Sequence, residues 1–200
     1  MGKEQINDGG KKKRRLQNIV LDYLHDLVFL LAILLLVFVL VFRIVVVSGP
    51  SMKNTLLDGD YLIVLSSALA GDPEPGDIIV ASKADFKNGE PIIKRVIATG
   101  GQTVDIDFNT GIVTVDGLAL DEPYVREKGG ILDEGVNFPL TVDEGCLFVM
   151  GDNRNNSMDS RDPDIGLIDE RQVLGHAIFL VFPGNDSGRE DRDFGRIGVP

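Results

Sequence analysis

Thr103-Val104-Asp105-Ile106-Asp107-Phe108, the triplet Asn109-Thr110-Gly111, and Ile112-Val113-Thr114-Val115 follow one another without interruption. Apolar and polar residues alternate with period two on both sides of a turn-forming triplet. This is the pattern of a β-hairpin with one buried and one wet face. Working outward, short apolar runs entered from turns recur on both sides. Upstream lie Tyr61-Leu62-Ile63-Val64-Leu65 after Asp58-Gly59-Asp60, Ile78-Ile79-Val80-Ala81 after Pro75-Gly76-Asp77, and Ile92 to Ala98. Downstream, Asp116-Gly117 turns the chain into Leu118 to Tyr124, and Leu147 to Met150 and Ala177 to Phe182 are the last strong strands. Ser66 to Glu74, Lys83 to Pro91 and Gly129 to Pro139 are predicted as loops, the last of them exposed. With no long amphipathic helix among these runs, the fold class is an all-β domain of antiparallel sheets, a sandwich or a partly open barrel.

The stretch ahead of this domain has a different character. Leu27 to Phe42 is an unbroken run of sixteen apolar residues, and Arg43 interrupts it only briefly before Ile44-Val45-Val46-Val47. As a helix, Leu27 to Val47 would reach about 31 Å, against a bilayer core of about 30 Å. Arg43 lies near the end, where a long side chain reaches the headgroups; the β-branched Ile44 to Val47 doubles as a candidate first strand. The run is longer than the apolar part of a cleavable signal peptide and lacks its small-residue ending, which favours an uncleaved transmembrane helix. The basic run Lys11-Lys12-Lys13-Arg14-Arg15 precedes it and, by the positive-inside rule, stays cytoplasmic, sending the β domain across.

Charge is unevenly spread. Residues 1 to 26 hold six Lys or Arg against four acids, whereas residues 48 to 200 hold thirteen against twenty-seven, within a formal net charge of -11. An acidic domain argues against nucleic acid as a partner. The single cysteine, Cys146, excludes an intrachain disulfide and reads as a buried thiol in a strand.

Ser48-Gly49-Pro50-Ser51-Met52-Lys53-Asn54-Thr55-Leu56 is where the apolar run hands over to the polar domain. Such residues make ordinary turns, but Ser51 is also a candidate nucleophile if a base stands beside it. Histidine is scarce: His25 is expected on the cytoplasmic side of the anchor, and His176 has no nearby carboxylate motif to orient it. Lys94 is the better base, because it lies between Ile92-Ile93 and Val96-Ile97, where burial would depress its pKa and yield a neutral amine. A solvent-facing lysine on an edge strand is the plain alternative. Arg95 should point to the opposite face. Gly151-Asp152-Asn153-Arg154-Asn155-Asn156-Ser157-Met158-Asp159-Ser160-Arg161 is dense in groups that pair or bond back to the backbone, which predicts a rigid loop. Its oxygen donors lack the spacing of a calcium loop and two arginines intrude, so no metal is assigned.

Together, Ser51 to Leu56, Gly76-Asp77-Ile78-Ile79-Val80, Ile93-Lys94-Arg95-Val96-Ile97 and Gly151-Asp152-Asn153-Arg154 to Ser160-Arg161 resemble the ordered boxes of bacterial type I signal peptidases, in the shorter Gram-positive form. The resemblance implies a membrane-anchored serine endopeptidase with a Ser-Lys dyad, removing signal peptides from exported preproteins after small residues of the A-x-A type. It implies Ser51 as nucleophile, Lys94 as general base, Ser157 as the hydroxyl orienting the amine, Met52 as part of the substrate pocket, and Asp152, Arg154, Asp159 and Arg161 as supporting residues. The Ser51 backbone N–H should form part of an oxyanion hole. No cofactor is implied; the implied partners are signal-peptide-bearing preproteins, the lipid bilayer and the protein export machinery. The corresponding organisation is a cytoplasmic basic tail at 1–23, a transmembrane signal anchor at 24–47, an extracytoplasmic peptidase domain at 48–182 and a flexible tail at 183–200.

Two positions depart from the family pattern. Asn54 stands where a proline usually precedes the box threonine, and Gly49 stands where some members carry a serine as second oxyanion donor. Two other readings compete: a self-cleaving repressor using the same dyad, against which the anchor and acidic surface weigh, and a non-catalytic membrane-tethered β domain binding peptide, wall or partner protein.

Overall fold

The computed structural model describes residues 8–84, 86–125, 129–185 and 192–200. The chain divides into two units, Met1–Val41 and Phe42–Pro200. The described part of the first unit is one helix, α1, Asp8–Val41. Its segment Arg14–Val41 is long and apolar enough to cross a membrane, and none of its most apolar window is buried against protein.

The helix boundaries differ from the anchor and tail expected from sequence. Among the described residues the helix already runs from Asp8, well ahead of residue 24, because a long apolar run with no proline propagates helix into the flanking Lys- and Arg-rich turn once nucleated. It stops at Val41, and the β-branched residues beyond it leave the helix for strand β1, Phe42–Val46. Residues 1–7 of the predicted tail lie outside the described residues.

The second unit is all β. Strands β1, β2 (Tyr61–Ser66), β3 (Ile78–Ala81), β4 (Ile92–Thr99), β9 (Cys146–Met150), β10 (Ile168–Asp169) and β11 (Val173–Phe182) form a seven-stranded sheet in the order β1-β2-β11-β3-β4-β9-β10. Strands β5 (Thr103–Asp107), β6 (Ile112–Val115), β7 (Leu118–Ala119) and β8 (Leu140–Thr141) form a second sheet, ordered β7-β6-β5-β8. All pairs are antiparallel. The hairpin has the register its alternation predicts: Val104 opposes Val115 and Ile106 opposes Val113, all four buried, while Asp105 and Asp107 face solvent. Its buried face packs with Ile97, Ala98, Phe148 and Met150 from β4 and β9, which docks the small sheet on one end of the large one. Cys146 is half-buried rather than buried, since it begins β9.

Gly175 is needed for close approach of β11 to β2, since a Cβ there would lie 2.1 Å from the Leu65 carbonyl oxygen. Just beyond β11, the expected frayed tail at 183–200 is tied back through Asp60. Its fully buried carboxylate accepts hydrogen bonds from Leu57 N–H at 2.7 Å, Gly184 N–H at 2.6 Å and both terminal nitrogens of Arg196, at 3.0 and 2.7 Å. Arg196 also donates to the Thr55 carbonyl at 3.0 Å, and Gly198 bridges to Leu180. A sequence rich in glycine and charge gives no local sign of this, because the anchor lies 136 residues away. Residues 186–191 of that tail lie outside the described residues. Removing one partner of a buried ion pair leaves the other uncompensated, so Arg196→Ala should destabilise the domain by about 2–4 kcal/mol in equilibrium urea unfolding. Arg196→Lys should lose less; an Arg196→Ala variant as stable as the parent would show that the clasp contributes nothing.

Candidate active site

Strand β4 shows how one side chain is chosen for the cleft. Its register places Lys94 opposite Ile79, on the face shared with Ile92 and Val96, and Arg95 opposite Ile78, on the other face. Lys94 is 5% exposed, so the solvent-facing edge lysine does not describe it; β4 is an interior strand, between β3 and β9. Arg95 makes a bidentate pair with Asp152, at 2.9 and 2.7 Å, donates to the Gly76 carbonyl at 2.7 Å, and stacks 4.0 Å from the centre of the Tyr124 ring. Adjacent cations of one strand thus go to different sides, one to a cleft and one to a brace.

The segment around Ser51 is a series of tight turns. Lys53 N–H donates to Pro50 O at 3.0 Å, and Thr55 and Leu56 N–H both donate to Met52 O, at 2.9 and 2.7 Å. Met52 and Leu56 anchor the turns in the core with Leu62 and Val80. Gly49 has φ +88°, and its N–H donates to Asp58 Oδ1 at 2.8 Å. The Gly49 N–H is thereby committed to Asp58.

The 151–161 loop then closes on these turns. Asn153 N–H donates to Ser51 O at 2.9 Å, Asn153 Nδ2 to Pro50 O at 3.0 Å, and Asn54 Nδ2 to Asp152 O at 3.0 Å, while the Thr55 hydroxyl bonds Asp152 Oδ2. Gly151 is the closest point: a Cβ there would lie 2.5 Å from Ser51 O and 2.2 Å from Ser157 Oγ. Within the loop, Asp159 Oδ2 accepts from Gly151 N–H at 2.9 Å, Ser157 Oγ at 2.8 Å and Arg161 Nη2 at 2.8 Å, and Asp159 Oδ1 accepts from Arg161 Nε at 2.8 Å. Arg161 donates on to Arg154 O at 2.8 Å. Arg154 in turn bonds Gly151 O at 3.1 Å and makes a bidentate pair with Glu122, at 3.1 and 2.5 Å. Asp152, Arg154, Asp159 and Arg161 are all essentially buried. The carboxylate oxygens of Asp152 and Asp159 are engaged by Arg95, Arg161, the Gly151 N–H and the hydroxyls of Thr55 and Ser157.

Ser51, Met52, Lys94 and Ser157 line one cleft of about 720 Å³, together with Val45 to Pro50, Glu90 to Ile93, Glu134, Asn155 and Asn156. Met52 contributes a wall that is itself 1% exposed. The Ser157 hydroxyl gives its hydrogen to Asp159, so toward the cleft it can only accept. His176 lies elsewhere. Its Nδ1 is 3.4 Å from Asp77, a carboxylate partner supplied by the fold, and it lines a separate recess with Gly76, Ile78, Val199 and Pro200.

Three residues that sequence inspection passes over belong to this architecture. Glu122 and Tyr124 complete the brace: the Tyr124 hydroxyl donates to Glu122 Oε1 at 2.9 Å, and burial with the nearby Glu122 charge raises the phenol's pKa well above its ordinary value. Glu134 lies in the loop read as exposed and instead lines the cleft. The only signal available was the clustering of acids around Pro123 and Gly135, which also fits a solvated loop.

Residues 20–182 match the family described as Signal peptidase, peptidase S26. The signal peptidase I of Bacillus licheniformis is 34% identical over 188 residues, covering 90% of this chain and 98% of that protein. Signal peptidase I T of Bacillus subtilis is 34% identical over 197 residues, covering 93% and 97%. A probable signal peptidase I-1 of Synechocystis is 40% identical over 151 residues, 72% of each chain. A match running from within α1 to the end of β11, with relatives aligned nearly end to end, places this chain in the signal peptidase family S26.

Proposed function

We propose that the cleft removes signal peptides from exported preproteins by acyl transfer, with Ser51 as nucleophile, Lys94 as general base and Ser157 as the group that orients the lysine. Membership of the family makes the chain a serine endopeptidase and sets aside the non-catalytic tethered domain. The observation that carries the assignment of roles is the convergence of Ser51, Lys94 and Ser157, from three distant segments, on one cleft.

The neutral Lys94 amine takes the Ser51 proton as Oγ attacks the scissile carbonyl carbon, and the negative charge moves to the carbonyl oxygen, facing the Ser51 backbone N–H. Collapse breaks the C–N bond, and the lysine ammonium returns its proton to the leaving amine. Water, deprotonated by the same amine, then hydrolyses the acyl-serine. Ser157 fits the orienting role because its own hydrogen is committed to Asp159, leaving lone pairs for a lysine N–H. Met52 forms part of the substrate wall, and Asp152, Arg154, Asp159 and Arg161 brace the loop. The substrate lies extended along the cleft with small residues, typically Ala, at the first and third positions before the cut.

We assign α1 as a single-pass anchor with its basic N-terminal end, within residues 1–23, in the cytoplasm and the β domain on the far side of the membrane. Ser51 lies ten positions beyond Val41, a reach of at most about 35 Å. Tethering confines the search to the membrane surface where signal peptides end, raising effective concentration. Partners are then preproteins, the bilayer and the export machinery.

Ser51→Ala and Lys94→Ala should each lower cleavage of a synthetic preprotein by at least about a thousandfold while the far-UV spectrum stays that of the parent. Retained cleavage in either variant would remove that residue from the chemistry. Gly151→Ala should push Ser51 and Ser157 apart, lowering kcat by roughly a hundredfold or more with a smaller change in KM; a fully active variant would show that the close approach is dispensable.

A further inference from the structure

The 129–139 loop is fixed by its backbone. Leu132 N–H donates to Asn155 Oδ1 at 3.0 Å, Val136 N–H to Arg161 O at 3.3 Å, and Arg161 Nη1 to Leu132 O at 3.4 Å. This frame carries the Glu134 side chain to the wall of the cleft that Ser51, Lys94 and Ser157 line. The carboxyl is poorly matched where it lies. Oε1 is 3.5 Å from Arg161 Nη2, whose guanidinium is already engaged by Asp159 and the Arg154 carbonyl. Oε2 is shielded from solvent and accepts no hydrogen bond among the described residues. A shielded carboxylate oxygen without a donor is unfavourable, so this group changes protonation easily.

Burial pushes the Glu134 pKa up to about 7; Arg161 pulls it down, Asp159 and Asp162 push it further up, and Lys94 pulls it down. These are the charged groups that face it: Arg161 and Asp159 from the 151–161 loop, Asp162 just beyond, and Lys94 from β4. Arg161 is held by Asp159, which leaves Lys94 as the cation in this set whose protonation the carboxyl can bias.

We propose that Glu134 is a positioning residue for the cleft's base: its carboxyl changes charge near Lys94 and, when ionised, holds that lysine as the ammonium. The inference rests on the reading of Lys94 as general base. Its sign follows from Coulomb attraction. Once Glu134 has lost its proton, its negative charge favours the ammonium, so Lys94 yields the neutral amine only at higher pH. The rise of kcat/KM with pH is thereby displaced upward over the range in which Glu134 is ionised, from about neutrality upward.

The test is the pH profile of kcat/KM for the full-length protein in detergent micelles, cutting a peptide that spans a signal-peptide junction. Glu134→Gln keeps the shape and removes the charge, and should move the rising limb to lower pH by on the order of one unit. Glu134→Asp should keep the limb within a few tenths of a unit of the parent. A limb that stays in place in Glu134→Gln, including a uniform fall in rate at every pH, would assign Glu134 a merely structural role through Arg161 and overturn the inference. Should Glu134→Gln fail to fold, raising the ionic strength over the parent protein should move its limb in the same direction by screening the pair; a limb indifferent to salt counts against the coupling. Failure of the underlying reading is separate, since it is reported by Lys94→Ala continuing to cut.

Discussion

The buried Asp159 carboxylate is the contact on which both halves of the cleft depend. One of its oxygens receives the N–H of Gly151, the hydroxyl of Ser157 and the guanidinium of Arg161 at once. The Gly151 contact sets where β9 ends against the Ser51 carbonyl, and the Ser157 contact sets which way that hydroxyl presents its lone pairs. Burial works against the Arg161 guanidinium's charge, and its hydrogen bonds and charge pairing with Asp159 outweigh that and raise its pKa. Replacing Asp159 by an apolar residue of similar volume would take this acceptor from the Gly151 N–H and the Ser157 hydroxyl and leave the Arg161 guanidinium without its carboxylate pair.

Three arginines, Arg95, Arg154 and Arg161, are buried beside this cleft, each with a carboxylate. Taking such pairs out of water costs about as much as their attraction returns, so their net contribution to stability is small. What they supply is geometry. Two planar forks, on Asp152 and Glu122, tie segments 57 and 32 residues apart, and the Tyr124 ring stacked on Arg95 links the two braces into one frame. An apolar core of equal volume would tolerate sliding; a fork does not. The turns around Ser51 and the 151–161 loop meet through this frame, so a shift in one is passed to the other.

Much of this was legible in the chain. Period-two alternation predicts the hairpin to the residue, because one buried face makes any slip expose Val104 and Val113 together. Lys94 was legible because a cation among Ile and Val residues has few uses, and Arg95 because alternation sends it to the other face. The polar loop at 151–161 was legible as rigid from its Asx and Ser content. Contacts made across long separations without a local pattern were not. Glu134 looks like one more acid in a loop, and its burial depends on where Arg161 and Asn155 sit in space. Arg196 looks like part of a fraying tail, and its partner Asp60 looks like the second residue of a turn. In the anchor, hydropathy located the span but not its ends, since strand pairing with Tyr61–Leu65 rather than apolarity decides where the helix stops.

The two departures from the family pattern acquire physical content from the same frame. A proline at position 54 would restrict φ after Ser51 but offer no donor. Asn54 gives up that restriction and substitutes a strut, its amide donating to the Asp152 carbonyl on the facing loop. The restraint moves from the backbone of one turn to a bond between two segments, so the geometry of Ser51 now depends on the 151–161 loop being closed. Gly49 is used as a turn residue: its positive φ and its N–H to Asp58 fix the approach to Pro50. The position is spent here on holding the turn, and that turn is tied in its place against the 151–161 loop through Asn153 and Asn54.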